Sequence, residues 1–177
     1  LASALTHAAS AGEMLIGNLV CFVRFSDQQN LTRIHSFDDV NTLMNAEDEG
    51  AVSVWRYYHD TSYGALSWKS VIVEVDYCDS HPRGYFCPLT DDNPDGYTSI
   101  LQGYMREQAM IRDLCKAVES SVPADAVIDG NKDWEIDNMM IVALGNSDPN
   151  SSSLLWPHQN NMTWASESIH ECDAERY

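Results

Sequence analysis

Leu19, Val20, Cys21, Phe22 and Val23 follow one another without a polar interruption. A near-continuous apolar run of this length marks a strand buried on both faces. Ser26 and Asp27 end it. The rhythm then changes: Phe37, Val40 and Leu43 recur at helical spacing behind Ser36 and Asp39, a variant of the capping box. After the polar break at 45–50, Ser53 offers a cap for a second short helix carrying Val54, Trp55 and Tyr58. Gly64 stands where a helix stop belongs. Val71, Val73 and Val75 alternate, which predicts a strand over 66–77 with one wetter face. Residues 78–96 are dense in turn formers and read as loop.

Ser99 and Gln102 open the longest predicted helix, over 100–120, stopped by Pro123. Its apolar stripe comprises Leu101, Tyr104, Met105, Ile111, Leu114, Cys115 and Val118. Arg106, Glu107, Asp113 and Lys116 form the polar face. Residues 139–144 are a further buried strand with a Gly exit. The polar stretch 146–153 and the segment around Pro157 read as loop, the latter with at most an edge strand. No repeat or linker divides the chain. The order of elements predicts one mixed α/β unit: a twisted mixed sheet backed by helices.

Composition narrows the partners. The 177 residues suffice for one cored domain. No apolar run approaches the roughly 20 residues that span a bilayer. Acidic residues outnumber basic ones 27 to 10, a net charge of −17. That charge repels phosphate backbones and anionic lipid, and it suits a secreted or cation-binding protein. The beginning, "LASALTHAASAGEML", lacks an initiator Met and a basic leader, and residues 1–16 read as an N-terminal extension. The start and the end are both abrupt, which is the expectation for a piece of a longer protein.

Candidate chemistry is concentrated late in the chain. Asp129, Asn131, Asp133, Glu135 and Asp137 place oxygen side chains at alternate positions, so a curled loop can aim several at one hard cation. Asp129, Asn131, Asp133 and Asp137 are therefore candidate calcium ligands. Trp134 and Met140 depart from the EF-hand pattern, and a solvated acidic turn is the competing reading. Trp156 and His158 are candidates for lining a substrate cleft, against the plainer reading of His158 as a packing or hydrogen-bonding residue.

Five cysteines cannot all pair within the chain. Cys21 and Cys115 read as buried thiols. Cys78 and Cys87 read as thiols or a disulfide, with a zinc set including His81 as a remote alternative. There is no nucleophile elbow and no Gly-rich phosphate loop. His170–Glu171 has the first two letters of a zinc-protease helix, but the position of the second His is Ala174.

Taken in order, "LVCFVRFSDQ", "VWRYYHDTSYGALSW", "YFCPLTDDNPDGY" and "IDGNKDWEIDNMMIVALG…LLWPHQ" resemble the immune inhibitor A family of secreted bacterial zinc metallopeptidases. The likeness runs from about Gly17 to His158. It implies a zincin fold, with residues 17–177 as the upstream part of a catalytic domain and the His-Glu-x-x-His helix further on. The whole protein would then hydrolyse peptide bonds with a zinc-activated water. This chain would supply the sheet under the catalytic helix, an edge strand for extended substrate, and the acidic turn. No catalytic residue carries over, and the chain alone is expected to be inactive. The resemblance favours calcium at the acidic turn and a secreted or cell-surface location. An uncovered sheet edge would also favour self-association. The alternative is a non-enzymatic, calcium-stabilised binding domain on a zincin-like sheet.

Overall fold

The computed structural model describes residues 13–145, 155–162 and 167–174. Residues 1–12 of the extension expected at 1–16, and the polar stretch 146–153, lie outside the described residues, while Met14, Leu15 and Ile16 belong to the first strand. Three parallel strands form the main sheet in the order β2–β1–β3, with β1 (Met14–Arg24) at its centre. The connection from β1 to β2 (Leu66–Cys78) carries α1 (Phe37–Asn45) and α2 (Val54–Thr61). That from β2 to β3 (Asn138–Ala143) carries α3 (Ile100–Val118) and passes to the other side of β1. The fold is therefore the expected mixed α/β type, a sheet backed by helices, and its three main strands are all parallel.

The unbroken apolar run explains why β1 is central. Val20 and Phe22 face Phe37, Val40, Met44 and Val54 of the first two helices. Leu19, Cys21 and Val23 face Ile111, Leu114, Cys115 and Val118 of α3. A strand buried on both faces needs apolar side chains at every position, and β1 has them. Local signals set the helix starts. Ser36 and Asp39 close a reciprocal capping box, and Ser53 and Ser99 accept from Arg56 N and Gln102 N. Gly64 adopts φ +76°, a left-handed conformation that glycine takes at little cost, and donates back to His59 O at 2.8 Å.

Two expectations need correction. The valine alternation of β2 does not persist, because the register against β1 shifts between Val20 and Phe22. Val73 is fully buried, Val75 is exposed, and Asp76 comes opposite Phe22, where Arg24 and Arg33 both pair with it. The stripe of α3 is also displaced. Leu101 and Met105 are more than half exposed, whereas Gly103, Glu107, Gln108 and Met110 are buried. The face turned to the sheet runs through 103, 107, 110, 111, 114, 115 and 118, and it includes Glu107, expected on the polar side.

A small antiparallel hairpin, β4 (Ser168–Ile169) and β5 (Cys172–Asp173), packs Ile169, Cys172 and Ala174 into the core beside α3. It is a finished element where the sequence reading expected none. His170 and Glu171 are its two turn residues, at φ 51° and 70°. Both conformations are left-handed, the signature of a two-residue hairpin turn. The pair is thus no part of a zinc-binding helix.

Candidate functional site

In open parallel sheets, ligands bind beyond the carboxyl ends of the strands, where the strand order reverses. Here the order reverses at β1. Its carboxyl end is knotted to both neighbours: Ser26 N donates to His81 O at 3.0 Å, and Asp79 N donates to Arg24 O at 2.8 Å. Gln28 Nε2 and Arg83 reach Leu144 O at 3.1 and 3.2 Å from the other side. From this end a concavity of about 1010 Å³ extends along β3. Its floor is apolar, with Met110 and Ile111 from α3 and Met139 and Ile141 from β3. Met140 and Val142, on the opposite face of β3, are more than a third exposed, because α1 and α2 cover β1 and β2 and stop short of β3. Among the described residues, β3 pairs only with β1, so its outer edge is open.

Trp156 and His158, the sequence candidates for a cleft, both line this concavity. His158 Nε2 lies 3.1 Å from Glu107 Oε1, and its Nδ1 lies 2.7 Å from Trp156 O. Both partners are acceptors, so both ring nitrogens donate and the imidazole is the cation. The Glu107 carboxylate accounts for most of the effect, raising the His158 pKa from 6.5 to about 9. Gln108, the next residue of α3, donates to Asn161 O at 3.2 Å. Sequence reasoning missed Glu107 and Gln108. The available signal was their place on the 3.6-residue repeat between Gly103 and Met110–Ile111.

The acidic segment forms one tight curl. Asp129 Oδ1 accepts from Lys132 N and Asp133 N at 2.6 and 3.2 Å, and Oδ2 from Trp134 N at 3.0 Å. Asn131 Oδ1 and Asp133 Oδ1 each accept a further backbone N–H at 3.0 Å. Lys132 and Trp134 adopt left-handed φ of 64° and 72° to make the curl. Asp137 plays a different part. Its Oδ2 accepts from Gly17 N and Gly130 N, each at 2.7 Å, and clips the turn to β1. Gly130 is required there, since a Cβ would fall 2.2 Å from Leu15 O. The structure thus brings Asp129, Asn131 and Asp133 together and gives Asp137 to the sheet.

The described residues do not supply a zinc site. His158 has both nitrogens committed as donors, and His170 sits in a hairpin turn. His81 Nδ1 is held 2.8 Å from the buried Asp79, and its ring stacks on Tyr85 at 4.0 Å. Cys78 and Cys87 are separate thiols directed at different carbonyl oxygens, those of Asp79 and Arg83. Among the described residues, no three His, Cys, Asp or Glu side chains gather as a metal set. Cys21 and Cys115 are buried thiols as expected. Burial pushes the Cys21 pKa far up and that of Cys115 up to about 12, leaving both without nucleophilic character.

No protein-family model matches this chain, and no curated protein matches it. No helix among the described residues is long and apolar enough to cross a membrane.

Proposed function

We propose that this chain is the substrate-side scaffold of a secreted, bacterial zinc metalloendopeptidase, and that the zinc ligands of that enzyme belong to residues outside it. The observation that carries the reading is the outer edge of β3, unpaired among the described residues, beside an apolar concavity. An extended peptide can add to such an edge as a further strand. Main-chain hydrogen bonds then give affinity, and pockets on either face take alternate side chains. Met140 and Val142 on one face of β3, and the half-buried Ile141 on the other, would meet those side chains. The ordered resemblance to the immune inhibitor A family supplies the chemistry of the whole protein. The described residues fit no zinc, so no catalytic step is assigned to them.

The same open edge permits two copies to pair, although a charge of −17 on each opposes it. A second reading, a calcium-stabilised binding domain without catalysis, is favoured by the oxygen-lined curl at Asp129–Asn131–Asp133.

Amide hydrogen exchange tests the first reading. With an excess of unstructured casein peptides, the amides of 138–143 are expected to gain protection. Unchanged exchange across β3 at saturating peptide would contradict it.

A further inference from the structure

Three Asn-x-Ser/Thr triplets stand in the chain, beginning at Asn30, Asn150 and Asn161. Such a triplet is the acceptor signature for an asparagine-linked glycan, and it works on a surface loop where the first and third side chains reach one enzyme together. Asn150 and Thr163 lie outside the described residues, and the main-chain oxygen of Asn161 is held by Gln108. Asn30, Leu31 and Thr32 are all exposed, in the connection from β1 to α1 and outside any helix or strand. The chain is fastened on either side of them. Before the triplet, Gln28 Nε2 donates to Leu144 O at 3.1 Å and Arg24 Nη1 to Gln29 O at 3.4 Å. After it, Arg33 pairs with Asp76 and lies over the rings of Phe22 and Phe37 at 4.2 and 3.9 Å. Between these anchors the side chains of Asn30 and Thr32 form no hydrogen bond with a described residue. The amides of Asn18, Asn45, Asn93 and Asn138, by contrast, are all bound into the fold.

We propose that Asn30 is a modification site that carries an asparagine-linked oligosaccharide. The inference rests on the secreted location in the proposed function and on none of its chemistry. The donor class is an oligosaccharide joined through its C1 to a polyprenyl pyrophosphate. The carboxamide nitrogen of Asn30 attacks C1, so an N–C1 bond forms and the C1–O bond to pyrophosphate breaks. The bonding pair leaves with the polyprenyl pyrophosphate, and the amide proton passes to a base of the transferase. The Thr32 hydroxyl is the group by which the transferase recognises the triplet. The fold accommodates the product without rearrangement. Leu31 is 48% exposed, and none of residues 30–32 lines the concavity, so a glycan here covers neither the core nor the edge of β3.

Mass spectrometry of the full chain expressed in its natural host tests this. Trypsin cuts after Arg24 and Arg33, which places the site in the single peptide 25–33. In protein recovered from outside the cell, that peptide is expected to carry the mass of an oligosaccharide. Asn30→Gln should abolish the added mass completely. Thr32→Ala should also abolish it, and Thr32→Ser, which keeps the hydroxyl, should retain it. All three variants should fold, because neither side chain is bonded to the rest of the molecule. An unmodified peptide 25–33 in the extracellular protein overturns the proposal and leaves the secreted location standing. Added mass that survives Asn30→Gln also overturns it, since the sugar would then sit on Ser26 or Thr32. Protein confined to the cell interior with the peptide unmodified overturns the proposal and the secreted location together.

Discussion

Asp137 shows how one side chain joins two distant parts of the chain. Its Oδ2 takes the backbone N–H groups of Gly17 in β1 and Gly130 in the acidic turn. Asp137→Ala leaves two part-buried donors without an acceptor. The expected loss is about 2–3 kcal/mol in urea denaturation at neutral pH, because hydrogen bonds to charged groups are the stronger kind. A loss below about 0.5 kcal/mol would show that water replaces the carboxylate freely. Sequence reading grouped Asp137 with Asp129, Asn131 and Asp133 because alternation alone cannot say which oxygen turns inward. What sets it apart is the close backbone approach at Gly17 and Gly130, a tertiary fact with no local signal. His158 is the converse case. Its hydrogen-bonding role was legible, but its partner was hidden in a helix 51 residues earlier, an offset taken from positions 107 and 158.

At the scale of elements, the strands and helices were readable where local chemistry fixes them. Ser36, Ser53 and Ser99 begin their helices as caps, and the run 19–23 is the central strand. The misreading of α3 arose from the choice of face. The face turned to the sheet runs through 103, 107, 110 and 111, so Leu101 and Met105 lie on the other side and remain exposed although their spacing is helical. Leu114, fully buried against β1, should therefore respond very differently from Leu101. Leu114→Ala is expected to cost about 2–5 kcal/mol, whereas Leu101→Ala should stay within about 0.5 kcal/mol. Comparable losses at both positions by chemical denaturation would mean that the beginning of α3 packs as deeply as its middle. The β4–β5 hairpin escaped notice because its turn, His170–Glu171, lacks the Asn or Gly usual at left-handed positions.

For the whole molecule, the parallel sheet with helices on both faces follows from the order of elements, and the position of the concavity follows from the reversal of strand order at β1. The net charge of −17 bears on the acidic curl. Calcium bound there to the folded form alone would raise the melting temperature in a saturable way, magnesium would do so far less, and Asp129→Ala would abolish the effect. A melting temperature identical in EDTA and in millimolar calcium would remove the second reading. The first reading depends on chemistry that this sheet accompanies and does not contain. Reading the natural coding sequence past the codon for Tyr177 tests it most directly. The account predicts a His-Glu-x-x-His helix a short distance downstream, in frame, with an apolar face to cover the sheet. An open reading frame with no such paired-histidine helix, or a stop at that point, would contradict it.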